Sequence, residues 1–245
     1  MFVHRTQGSV SSQSGQDGML QYIFKHIGTT NRYFVEFGFN GPTYLDDTGA
    51  NSNFLYKTGW RGLLLDGANS NPDINLHTAW IEPETIVSVF DRHGVPSDLD
   101  YLSIDIDSTD LWIFRAIVSS GRYRPRVITV EYNSNYPLEA TLCAGPGYLW
   151  KGDRIGGTAL LPLKMVGDEF GYSLVDIVPY LDAVFVRTDL LNGSAVPDFE
   201  TWRPFTSKPV HEPAIRTEDD IRKYVVDYAE WSRNGHDILK AMGDA

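Results

Sequence analysis

A chain of 245 residues with one cysteine, Cys143, cannot be a disulfide-stapled secreted scaffold, and it is long enough to bury a core without staples. Its 32 acidic and 21 basic side chains leave a formal charge of −11, which disfavours both a nucleic-acid backbone and an anionic membrane surface as partner. With 42% hydrophobic and 22% charged residues, no apolar run near the ~20 residues of a membrane helix, and no apolar h-region in MFVHRTQGSVSSQSGQDG, the expectation is a soluble cytoplasmic domain.

In chain order, Gln13, Gln16 and Asp17 precede a predicted helix over Gly18–Ile27, and they read equally as its cap or as part of a lid. Met19, Tyr22, Ile23, Phe24 and Ile27 share one side of that helix. Strands are expected at Tyr33–Glu36 and Gly62–Asp66, with another short one around Ala79–Ile81. A helix over Glu84–Phe90 leads to a strand over Leu99–Asp107, a helix over Thr109–Val118 and a strand over Arg126–Glu131. An irregular segment, Leu138–Asp153, precedes a helix over Thr158–Phe170 and strands at Ser173–Val178 and Ala183–Arg187. Near residue 190 the composition shifts to Pro, Gly and polar residues. Beyond it, Thr217 can cap a packing helix carrying Ile221, Tyr224, Val225 and Tyr228. His211 reads as a solvated loop histidine and Cys143 as a loop thiol without catalytic work.

This alternation predicts an α/β fold, a mostly parallel sheet with helices on both faces. Residues 1–190 form its main domain, and residues 191–245 add a loop and helix packed on it. Four predicted strands end in carboxylates: Glu36, Asp66, Asp105 with Asp107, and Glu131. In open α/β sheets ligands bind outside the carboxyl ends of the strands, so acids gathered there favour a ligand site over helix capping. After Glu36 comes the turn Glu36-Phe-Gly38-Phe-Asn-Gly41, which is not the GxGxxG of nicotinamide enzymes. Asp66 follows about one βαβ unit later and is placed either to accept both ribose hydroxyls or to cap Gly67-Ala68-Asn69. A period of two puts Ser103, Asp105 and Asp107 on one strand face, where two carboxylates repel unless a cation or donor lies between them. Asp110, after Ser108-Thr109, reads as structural.

Seven pieces in order resemble the FkbM-like family of class I S-adenosylmethionine-dependent methyltransferases. They are SQSGQDG at Ser12–Gly18, YFVEFGFNG at Tyr33–Gly41, TGWRGLLLDG at Thr58–Gly67, IEPETI at Ile81–Ile86, DYLSIDIDSTDLWIF at Asp100–Phe114, YRPRVITVEYN at Tyr123–Asn133, and GYSLVDI…AVFVR over Gly171–Arg187. The resemblance covers residues 12–190 and implies a Rossmann-like, seven-stranded methyltransferase sheet with the cofactor at the strand tips. It implies that Glu36, Gly38 and Gly41 line the methionine and ribose side, that Asp66 binds the ribose, that Glu82 lies near the adenine, and that Asp105 sits beside the sulfonium. It further implies methylation of a hydroxyl, often on a sugar. Phe39-Asn40 departs from the small residues usual in the turn, and Leu138–Asp153 is a segment that could shape the acceptor pocket.

Transfer to a neutral hydroxyl needs help with its proton, from a carboxylate or a divalent cation. Asp107 and Glu131 are the candidate bases. Asp105, Glu131 and Asn133, on adjacent strand tips, are candidate ligands for Mg²⁺ or Mn²⁺. The expected partners are S-adenosylmethionine and a small-molecule acceptor, with homo-oligomerisation left open. The competing readings are an inactive methyltransferase-like binding module and a nucleotide-dependent sugar-modifying enzyme.

Overall fold

In the computed structural model, which describes residues 16–44, 50–150, 152, 154–207 and 223–234, the periodicities above resolve into fifteen helices and strands joined by turns. In chain order these are α1 (Gln16–Ile27), β1 (Tyr33–Phe37), α2 (Asn53–Lys57), β2 (Arg61–Asp66), β3 (Leu76–Thr78) and α3 (Ile86–Arg92). Then come β4 (Tyr101–Ile104), α4 (Asp110–Ser119), β5 (Val127–Glu131), β6 (Leu142–Ala144) and α5 (Leu160–Glu169). The chain continues through β7 (Tyr172–Ile177), β8 (Asp182–Arg187), β9 (Val225–Asp227) and α6 (Tyr228–Arg233). Seven strands form one sheet in the order β3-β2-β1-β4-β5-β8-β7, parallel throughout except that β8 runs against both its neighbours. This mostly parallel sheet, flanked by helices, is compatible with a Rossmann-like fold.

The faces follow from strand alternation. Val35, Phe37, Leu63, Leu65, Leu102, Ile104, Ile128 and Val130 share a core with residues of α3, α4 and α5. Phe34, Leu64, Tyr101, Val127 and Val184 share the other with residues of α1 and α2. Both faces are covered, so the strands are apolar on both, and each fully buried large side chain stabilises the fold by ~1.5–3 kcal/mol.

The end of the sheet at which β1 begins is built for stability. Asp100, fully buried, accepts the backbone N–H groups of Thr30, Asn31 and Arg32, at 2.6–3.0 Å. Its carboxylate also lies 3.5 Å from the Arg126 guanidinium. The opposite end holds the crossover. After β1 the chain lays down β2 and β3 on one side, then returns to place β4 on the other. A crevice opens where the strand order reverses.

Four sequence readings need correcting. The short strand lies at Leu76–Thr78, pairing with β2, rather than at Ala79–Ile81. The β4 strand ends at Ile104, before Asp105 and Asp107. Val225 belongs to β9, which pairs antiparallel with β6; Lys223 and Tyr224 before it are helical, and Tyr228 opens α6 after it. Thr217 and Ile221, like Gln13 and His211, lie outside the described residues. The same β6–β9 pairing makes Cys143 a fully buried strand residue, not a loop thiol, and burial pushes its pKa up. Nothing in that environment activates it as a nucleophile.

Among the described residues no helix is long and apolar enough to cross a membrane.

Candidate functional site

A cleft of about 650 Å³ lies over the tips of β1, β2, β3, β4 and β5, closed on one side by Pro146–Leu149. That size is ordinary for a small-molecule site. The outer wall is held from two directions. Gly157 donates to the Ser108 carbonyl at 3.1 Å, and Gly145 donates to the Tyr224 carbonyl at 2.9 Å. The Tyr148 and Tyr224 rings sit 5.6 Å apart. The wall thus rests on the turn after β4 and on the chain that enters β9. Leu138–Asp153 therefore supplies part of the cleft lining.

Gly38 and Asn40 line the floor after β1. Gly38 has φ +69°, and a Cβ built there would stand 1.9 Å from the Asp105 carbonyl oxygen. The glycine is therefore required first by the protein's own main chain: β1 and β4 touch backbone to backbone at the crossover. Asn40, at φ 55°, donates its N–H to Asp66 Oδ2 at 2.8 Å. Gly41 is buried and Glu36 lies behind the floor, and neither lines the cleft.

Glu36 has a different task from the one expected of it. Its carboxylate accepts the N–H groups of Asn51 and Ser52, at 2.7 and 3.0 Å, and the Ser52 hydroxyl. It fastens the entry to α2 beneath the turn, and burial raises its pKa against those bonds.

Of the two roles weighed for Asp66, the hydrogen bonds show the capping one. Oδ1 accepts from Ala68 N, Asn69 N and Asn69 Nδ2, at 2.7–3.0 Å, and so caps the next turn. Oδ2 takes only Asn40 N and keeps a free lone pair. Burial raises the Asp66 pKa, but these donors outweigh it and hold the carboxyl low. A diol bound here finds one available oxygen, not two. Glu82, exposed, lines the same end.

At the other end, one carboxylate oxygen from each of Asp105, Asp107 and Glu131 lies within 4.8 Å of the others. The convergence does not come from strand periodicity. Asp107 has φ 61°, and this left-handed turn brings its side chain back to Asp105. Asp110 holds the turn by accepting from Ile106 N and Ser108 N, at 2.8 and 3.0 Å. The Asn133 amide is engaged by other partners. Its Nδ2 donates to the carbonyls of Arg154 and Gly156, and its Oδ1 accepts from Asn135, so it braces the wall instead.

The sequence reading missed Asp182, the first residue of β8, directly across the ladder from Glu131. It is 1% exposed; Oδ2 accepts amide donors from Gln16 and Asn51 at 3.2 and 3.4 Å, and Oδ1 has no hydrogen-bond partner among the described residues. Gln16 therefore ties α1 to β8 from a buried position.

Packed together, these acids hold protons tightly. Burial, then Asp182, raises Asp105 well above the carboxylate range, and burial, then Asp105, does the same to Glu131. Burial pushes Asp110 to about 7 and Asp182 to about 6. A raised folded pKa gives stability that is complete below the unfolded carboxylate value and is lost as pH rises through the folded one. The ligand-free protein is therefore expected to lose thermal stability between about pH 5 and about pH 8, and millimolar Mg²⁺ or Mn²⁺ to restore more of it at the higher pH. Thermal melts at both values, with and without the salts, read this directly; midpoints that ignore both pH and metal would mean that the acids do not act on one another.

No family model matches the chain, and no curated protein matches it.

Proposed function

We propose that the protein is an S-adenosylmethionine-dependent methyltransferase that methylates a hydroxyl of a small-molecule acceptor. The observation that carries this reading is the pairing, in one cleft, of an end lined by Gly38, Asn40 and Asp66 with an end where three carboxylates converge. The resemblance over residues 12–190 supplies the cofactor's identity, and the crossover between β1 and β4 is where open α/β sheets take their ligands.

When bound, S-adenosylmethionine supplies an already activated methyl group. The chain's own residues do the rest. Asp66 Oδ2 accepts a ribose hydroxyl. The Gly38–Asn40 turn gives close main-chain approach. Asp105, beside the crossover, faces the methyl donor. Glu131 or Asp107 takes the acceptor's proton as its oxygen forms the new C–O bond and the electrons of the C–S bond return to sulfur. Burial and the neighbouring Asp105 raise the Glu131 pKa, so its ionised carboxylate is a stronger base than a free one. Asp105, Asp107 and Glu131 would also hold a hard divalent cation, which would polarise the acceptor hydroxyl. Pro146–Leu149 excludes water from this end.

Calorimetry tests the reading. S-Adenosylhomocysteine should bind and NAD should not. No heat with the adenosyl ligand would remove the methyltransferase reading, and NAD binding instead would favour the nucleotide-dependent alternative. Asp66→Ala should weaken the adenosyl ligand by ~1.5–3 kcal/mol, the scale of a hydrogen bond to a charged group. Asp66→Asn, which keeps an acceptor oxygen, should recover part of that loss. Equal affinities across all three proteins would mean that Asp66 only caps its turn.

A further inference from the structure

Trp80 is 64% exposed, more than any other large hydrophobic side chain described, yet the main chain leading to it is fixed. Thr78 pairs with Asp66 in the β2–β3 ladder, and the Ala79 N–H donates to the Asp66 carbonyl at 2.9 Å. Cζ3 and Cε3 of the Trp80 ring lie 3.8 and 3.9 Å from where a Cβ on Gly67 would stand, so the indole covers the residue next to Asp66. Trp80 lines the cleft, flanked by Ala79 and Ile81, at the end remote from the three acids. An apolar face held in water beside the one free acceptor oxygen of Asp66 is a surface that a flat ring can cover.

Resting on the adenosyl reading above, we infer that Trp80 is the platform on which the ligand's purine base stacks, with Asp66 Oδ2 taking the attached ribose. The base is then held mainly by the indole face. Gly67, which has no side chain, lets the ring lie close against the main chain beside Asp66.

Titration with S-adenosylhomocysteine, 5′-methylthioadenosine and L-methionine tests this, read by calorimetry and by indole fluorescence. Both adenosyl compounds should bind and quench; methionine, which lacks the base, should leave the fluorescence unchanged. Trp80→Ala and Trp80→Leu should each bind S-adenosylhomocysteine about 10-fold more weakly or worse, the effect of losing one base–aromatic stack. Their melting temperatures should stay at the wild-type value, because the side chain is exposed. Trp80→Phe should keep most of the affinity and lose the quenching. If Trp80→Ala and Trp80→Leu bind as tightly as wild type, the platform is wrong while the adenosyl reading stands. Weakening in Trp80→Ala that Trp80→Leu fully restores would also overturn it, since apolar bulk without a π-face would then suffice. If wild type binds neither adenosyl compound, the adenosyl reading fails and this inference with it.

Discussion

Gly38→Val is expected to abolish adenosyl binding and also to destabilise the fold by roughly 2–5 kcal/mol, combining a left-handed backbone penalty with overpacking. The reason is local. The added Cβ would stand 1.9 Å from the Asp105 carbonyl, and a backbone atom in the middle of the crossover cannot step aside as a side-chain tip can. The β1 and β4 tips would have to part, and Asp105 would move with them. Gly38→Ala should show most of the same loss, because the clash begins at the first carbon. Chemical denaturation reads the stability and calorimetry the binding. A variant as stable as wild type would show that the two tips can separate at little cost. One that bound normally would remove the turn from the site.

Glu131→Gln should lower methyl transfer by about 10²–10⁴-fold, the span of a lost general base, while making the ligand-free protein more stable. Glu131 ends β5 with no hydrogen bond to its side chain among the described residues, opposite Asp182 and within reach of Asp105 and Asp107. A neutral amide of the same shape removes one source of repulsion and one proton acceptor together. The melting temperature should rise most at high pH, where the native acids are forced to ionise. If transfer survives intact, the proton goes to Asp107 or elsewhere. A fall in stability would mean that Glu131 is held by an attractive partner.

The sequence made the architecture readable because both sheet faces are covered, so strands appear as continuous apolar runs and helices as 3.6-residue stripes. Acids after such runs were equally visible, and three of them, Asp105, Asp107 and Glu131, do converge. What stayed hidden depends on direction and on distant backbone. Asp182 begins its strand instead of ending it. Only the antiparallel course of β8 brings that beginning to the tips, and no local pattern shows a strand's direction. Glu36 is spent on Asn51 and Ser52, donors reached through a connection whose path the sequence does not state. Asn133 looked like a ligand by position, but its amide is consumed by carbonyls more than twenty residues on. The turn at Asp107 replaced a periodicity argument that had reached the right neighbours by the wrong route. Val225 fitted a helical stripe by spacing, yet the free edge of β6 claimed it for a strand.

That last pairing sets the order in which the molecule can become functional during synthesis. Every strand of the main sheet has been synthesised once Arg187 has been added, and the crossover that makes the cleft floor can close when that stretch has cleared the ribosome. The wall gains its full support later, because β6, bridged to Thr158 on one edge, pairs on its other edge with β9, roughly 80 residues downstream. At about 5–20 residues per second, the roughly 40 residues from Arg187 to β9 take about 2–8 s, during which a nascent chain holds the floor and its acids without the wall's full support. A ribosome-bound chain arrested with the main sheet clear of the tunnel should therefore already form the cleft floor, while the wall is completed only after β9 has followed.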